Sequence, residues 1–233
     1  MENATYKERY VAFVDLGRIG DISKSNHQTS TFSDNIFIST DSTDNGLMHI
    51  IHHVEQISFK LLKLGFLCRG GLTKGLCYHH DNIVFGPAVI EAHDIEKNES
   101  QYPRVVLSNK VVNDGQKALP PINQIFNRFV KEDTDSKFFV HYLRIIRLLS
   151  DSMEQEQPQD YIKMVKNIED KIEENLIRAM RDETSDLQEN RSKISSVQKI
   201  EWIKEYFKFA TDRSHLDLLN ATFPSKRIED IIA

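Results

Sequence analysis

Two apolar stretches near the start of the chain each carry an aspartate. Residues 10–16 run Tyr10, Val11, Ala12, Phe13, Val14, Asp15, Leu16, and residues 31–39 place Asp34 and Asn35 among Phe32, Ile36, Phe37 and Ile38. A carboxylate inside a strand that otherwise belongs to a core is costly to desolvate unless a cation or a hydrogen-bond network compensates it. If the two strands pair, Asp15 and Asp34 can face one divalent metal. Two carboxylates completed by phosphate oxygens are a usual way of holding Mg²⁺, and hard oxygen ligands suit Mn²⁺ as well. That donor set points to chemistry on a nucleoside triphosphate. The plainer alternative, for each aspartate taken alone, is a strand end at Asp15 and a turn or bulge at Asp34.

The elements around the two aspartates must position them. Residues 17–30 read as a polar loop without the periodicity of a crossover helix. The polar turn at 41–46 opens a helix in which Leu47, Ile50, Ile51, Val54, Ile57, Leu61 and Leu62 recur at helical spacing, ending at Gly65. Residues 66–75 read as a strand interrupted by Gly70, Gly71 and Gly75, a pattern that marks close approach of another backbone or of a ligand. Arg69 and Lys74 flank those glycines and are the candidates for phosphate contacts. Arginine would bind phosphate oxygens in two-point fashion and lysine as a point charge. The alternative for both is exposed, solubilising charge.

Residues 82–86 form a further strand, with His79 and His80 at the hairpin tip before it. Two adjacent histidines in a strand point to opposite faces and cannot share one metal. Pro87 opens a helix to about Lys97, residues 103–108 form another strand, and Ser108 can cap a short helix after it. Arg104 can reach phosphate or pair with a surface acid. A hairpin of strands at 126–130 and 138–142 is expected about the polar turn 132–136. From Gln157 onward the sequence becomes charged and helical. One apolar stripe runs through Met164, Ile168, Ile172 and Leu176, and a second through Val197, Ile200, Ile203 and Phe207. These stripes are packing faces of an antiparallel helical hairpin.

Composition narrows the function classes. A formal net charge of -5 leaves no global basic field to draw the chain to nucleic acid or to a membrane. No apolar run approaches the roughly 20 residues needed to cross a bilayer, and residues 1–5 lack the apolar core of a signal peptide. Cys68 and Cys77 belong to no metal-binding pattern and are expected to be reduced, as in a cytoplasmic protein. The order of elements predicts an α+β fold: a ferredoxin-like or cyclase-like mixed sheet with helices on one face, followed by the C-terminal hairpin. The expected division is a domain over 1–150 and a helical extension over 151–233.

Taken in order, these blocks resemble a class III nucleotidyl cyclase domain. The stretches that carry the likeness are Phe13-Val14-Asp15-Leu16, Phe32-Ser33-Asp34-Asn35, Arg69-Gly70-Gly71-Leu72-Thr73-Lys74-Gly75, residues 86–96 from Gly86 to Glu96, and Arg104-Val105-Val106-Leu107-Ser108. The likeness covers about residues 8–110. It extends to the cyclase-related proteins of bacterial anti-phage signalling, including the pyrimidine cyclases called Pycsar. The resemblance implies that Asp15 and Asp34 bind Mg²⁺ (or Mn²⁺), that a ribonucleoside triphosphate is cyclised with release of pyrophosphate, and that the active site forms in a homodimer. The sequence departs from the family at four positions. Ile90 and Asp94 stand where the transition-state asparagine and arginine are usual, and Pro87 and Ser30 where base-selecting residues are usual. The expected function is therefore a Mg²⁺-dependent nucleotidyl cyclase or related second-messenger synthase in anti-phage defence. The alternative is a catalytically inactive, cyclase-like protein that binds nucleotide or a partner.

Overall fold

Alternation of side chains builds the centre of the sheet. In β1 (Lys7–Gly17), Tyr10, Ala12 and Val14 point to one face while Val11 and Phe13 point to the other, and all five are buried. The computed structural model describes residues 6–17, 35–80, 83–149, 158–183 and 195–211. β1 pairs antiparallel with β2 (Asn35–Asp41) on one side and with the long β3 (Leu67–His80) on the other. β3 runs parallel to β5 (Val105–Leu107) and carries the short β4 (Ile83–Phe85) on its end. β7 (Phe138–Val140) and β6 (Val130–Glu132) complete a mixed sheet of order β2-β1-β3-β5-β7-β6, seven strands among the described residues.

Helices cover both faces, not the single face expected from the order of elements, because β1 alternates buried apolar residues to both sides. α1 (Asp44–Lys63) starts where the Thr43 side chain accepts a hydrogen bond from the Gly46 amide, and its apolar stripe packs on the Tyr10, Ala12 and Val14 face. α3 (Asn109–Lys117), capped by Ser108, and α4 (Ile122–Phe129) share that face. α2 (Pro87–Asn98) takes the other, where Ala88 and Ala92 meet Val11 and Phe13. Gly86 enters α2 at φ 134°, a backbone state open to glycine at little cost, and Pro87 follows at the first helical position.

The expected hairpin at 126–142 is half right. Its strands are three residues each, and residues 122–129 form α4 instead of extending the first strand. Phe126 and Phe129, three residues apart, share one helical face, and the Phe126 ring lies directly on Gly115 of α3. A strand would have sent Phe126 and Phe129 to opposite faces. After a short helix over 144–149 (α5), α6 (Pro158–Glu183) and α7 (Ser196–Thr211) pack on each other. Their stripes bury Ile168, Ile172, Ile200, Ile203 and Tyr206 together with Phe59 and Leu62 of α1, Leu67 of β3 and Phe139 of β7. The fold is thus α+β, with a mixed sheet and C-terminal helices. Among the described residues no helix is long and apolar enough to cross a membrane.

Candidate metal and phosphate site

Asp15 closes the apolar run of β1. Its neighbours across the sheet are Asn35 of β2 and Arg69 of β3. Alternation continues the Val11 and Phe13 face through Asp15, so the carboxylate lies on the side covered by α2. There it meets Arg69, whose Nη2 is 3.8 Å from Asp15 Oδ2 and 2.5 Å from Glu96 Oε1 of α2. The Arg69 Nη1 group donates to the Ser100 carbonyl at 3.2 Å. Asp15 and Arg69 are each about a quarter exposed, whereas the Glu96 side chain is 7% exposed.

Glu96 is the unusual member. Its Oε1 is close to the guanidinium but lies off any hydrogen-bonding direction, so this buried oxygen has an ionic neighbour and no hydrogen bond. Burial pushes the Glu96 carboxyl upward, Arg69 opposes that, and Asp15 adds to it. The helix sits this low because of the glycines in β3. A Cβ on Gly71 would come 2.2 Å from the Ala92 carbonyl oxygen, and one on Gly70 would come 2.4 Å from the Phe13 carbonyl oxygen. The glycine-interrupted strand therefore answers to close backbone approach, by α2 above and β1 beside.

Lys74 goes elsewhere. Five residues along β3 from Arg69, it emerges on the opposite face. There its Nζ bonds Asp114 Oδ2 of α3 at 2.9 Å, lies 3.5 Å from Glu8 Oε2, and stands 5.5 Å from the Tyr10 ring centre. The hydrogen bond to Asp114 raises the Lys74 pKa. The structure thus brings Arg69 to Asp15 and separates Lys74 from both, so Arg69 and Lys74 do not converge on one triphosphate. Asp34, the other expected metal ligand, lies outside the described residues.

Arg104 pairs with acids, one buried and one on the surface. It is fully buried, its two terminal nitrogens contact Asp133 and Asp135, and Trp202 Nε1 of α7 donates to the same Asp133 carboxylate at 3.1 Å. His79 and His80 are the last residues of β3, paired with β4. His79 Nδ1 is 2.8 Å from the Ser39 hydroxyl. On α2, Ile90 is 65% exposed and the Asp94 side chain 59% exposed, both turned away from Asp15 and Arg69.

Among the described residues no three His, Cys, Asp or Glu side chains converge as a metal centre. What converges is the carboxylate pair Asp15 and Glu96 about one guanidinium. A cleft of about 620 Å³ lies between α2, the start of α3 and the turn at 135–138, and Asp15, Arg69, Lys74 and Glu96 are all absent from its lining. Sequence reasoning missed Glu96. The available signal was its place at the end of the motif-like segment 86–96, one turn beyond Ala92 on the face that meets β1 and β3. Comparison with known protein families, with curated proteins and with solved structures finds no match to this chain.

Proposed function

We propose that this chain is a nucleotidyl-cyclase-like domain acting on a ribonucleoside triphosphate with Mg²⁺ or Mn²⁺, as a cytoplasmic homodimer in bacterial defence against phage. The observation that carries the reading is Asp15: a partly exposed carboxylate that follows the buried apolar run Tyr10–Val14 of the central strand, beside a second carboxylate. The residues fit a hard divalent cation. The donors are carboxylate oxygens, and the buried Glu96 oxygen lacks a hydrogen bond that would otherwise satisfy it. Asp15 would hold the cation, and Asp34, outside the described residues, is its expected partner ligand. A bound cation would supply charge neutralisation at the phosphates and acidify the attacking hydroxyl. The reaction forms a bond from the ribose 3′ oxygen to the α-phosphorus and breaks the bond to pyrophosphate. The α2 face bearing Ile90 is left exposed, as a shared site would need.

The test is incubation of the protein with ATP, GTP, CTP and UTP in Mn²⁺, with mass spectrometry of the products, beside Asp15→Asn. A cyclic mononucleotide made by the wild type and not by the variant is expected. No product from any of the four, with the protein folded, sinks the cyclase reading. A second reading, nucleotide or partner binding without turnover, is favoured by three positions: Ile90, Asp94 and Pro87 stand where the resembled family carries its usual catalytic and base-selecting residues. Calorimetric binding of a triphosphate without product would decide for it.

A further inference from the structure

We propose that Asp15 and Glu96 form a divalent-cation site in which Arg69 is the built-in counter-ion, so that a metal binds by displacing the Arg69 guanidinium. The inference deepens the reading above and rests on it for the part Asp15 plays in holding a cation. Both carboxylates approach the same nitrogen, Nη2 of Arg69. Two carboxylates that close repel each other unless a positive charge lies between them. Arg69 supplies that charge, but poorly. An arginine well matched to carboxylates makes directed, two-point hydrogen bonds, and here the buried Glu96 oxygen receives none. A small hard cation accepts lone pairs from any direction within its coordination shell, so it satisfies this oxygen better than the guanidinium does.

The arginine is also free to leave. Its side chain is 27% exposed, and its one hydrogen bond in this cluster is to the Ser100 carbonyl at 3.2 Å. Its pair with Asp15, 3.8 Å apart and about a quarter exposed on both sides, is weakly held against solvent. Glu96 cannot leave in the same way, because it is 93% covered beneath the sheet-facing side of α2. The site therefore has a fixed carboxylate, a partly exposed one, and a removable cation between them. His93 and Lys199 also bear electrostatically on Glu96 and remain when Arg69 moves. This assignment reverses the sign of the role first expected for Arg69. A phosphate-binding arginine raises affinity for metal-nucleotide, whereas an internal counter-ion competes with the metal.

The experiment titrates Mn²⁺ alone, without nucleotide, into the full chain and follows loss of the free-ion signal by electron paramagnetic resonance. Arg69→Gln is expected to bind Mn²⁺ about tenfold more tightly than wild type, the order of effect of removing one competing ion pair. Adding Glu96→Gln or Asp15→Asn to that variant should abolish the gain. Unchanged or weaker binding in Arg69→Gln overturns the proposal, as does a double variant with Glu96→Gln that keeps the gain. If circular dichroism shows Arg69→Gln unfolded, Arg69→Lys decides. Its shorter, single-point charge should give a gain of roughly threefold, and affinity equal to wild type overturns the proposal. The two readings fail separately. A Mn²⁺ gain without cyclic product sinks only the cyclase, and product without the gain sinks only the counter-ion.

Discussion

Arg69 and Arg104 sit on neighbouring parts of the sheet and each is held by two carboxylates, yet their surroundings differ. Arg104 is wholly buried, its partner Asp133 is 1% exposed, and the rings of Tyr102, Phe139 and Trp202 stand within 6 Å of its guanidinium carbon. Asp133 also accepts from the Trp202 indole, so this arginine ties the end of β5 to the β6–β7 turn and to α7. Arg69 is a quarter exposed, stacks on no ring within the described residues, and leaves one carboxylate oxygen without a hydrogen bond. The difference teaches that two similar ion clusters can serve opposite ends. A cluster whose guanidinium and nearest carboxylate are both buried is structural, because removing one member strands a charge away from water. A partly exposed cluster with an underused carboxylate is exchangeable.

The comparison breaks first at Arg104. Arg104→Ala should cost about 3–5 kcal/mol of folding stability, since it leaves Asp133 buried without its cation. Urea unfolding followed by the fluorescence of Trp202, the single tryptophan of the chain, measures it. A loss below about 1 kcal/mol, the range of an exposed pair, would place Arg104 in the same class as Arg69. Gly71→Ala comes next. Its Cβ would press on the Ala92 carbonyl oxygen, and overpacking of that kind costs about 1–3 kcal/mol. Because the same displacement lifts Glu96 away from Arg69, Mn²⁺ affinity should change along with stability. A variant as stable as wild type, with unaltered Mn²⁺ binding, would show that α2 need not sit so close.

A smaller effect lies in the pH dependence of Glu96. Its carboxyl is raised in the folded protein, chiefly by burial. A raised acid contributes stability that is fully present below its unfolded pKa and declines as pH rises through the folded pKa. Wild type should therefore lose stability relative to Glu96→Gln as pH rises above about 4, the ordinary glutamate range. Urea midpoints of the two proteins across that range test this, and a difference that is flat or grows in favour of wild type contradicts it. The smallest effect is expected at Lys74. Lys74→Met should cost under about 1 kcal/mol, because its partners Asp114 and Glu8 are solvent-accessible. It should leave Mn²⁺ binding untouched, being on the other face of β3. A Lys74→Met variant with weakened Mn²⁺ binding would mean that the two faces communicate.

Much of the scaffold could be read from spacing. The stripe from Leu47 to Leu62 is α1, Pro87 does open α2, and Ser108 does cap α3, its hydroxyl accepting from the Val111 amide. These are short-range facts, decided by residues three or four apart. The element at 122–129 was misread because it is only two turns long. Phenylalanines suit a strand as well as a helix until Gly115 offers one of them a seat. Of the candidate site, Asp15 was legible because a lone carboxylate interrupts an apolar run. Glu96 was not, because a glutamate among His93, Asp94 and Lys97 on a helix reads as a solvated face.

By itself the sequence determined where the first three helices begin, that an acid follows the apolar run of the central strand, and that glycines thin the strand beside it. Those properties follow from local backbone preference and from the periods of apolar residues. Only the tertiary structure decided which charges meet. Asp15 and Arg69 are 54 positions apart and face each other through the antiparallel register of β1 and β3. Strand parity sends Arg69 to α2 and Lys74 to α3, and the depth to which α2 settles on Gly71 buries Glu96 beside the guanidinium. An ion pair has a short range and no sequence period, so its partners become visible only once packing has fixed the distance between them.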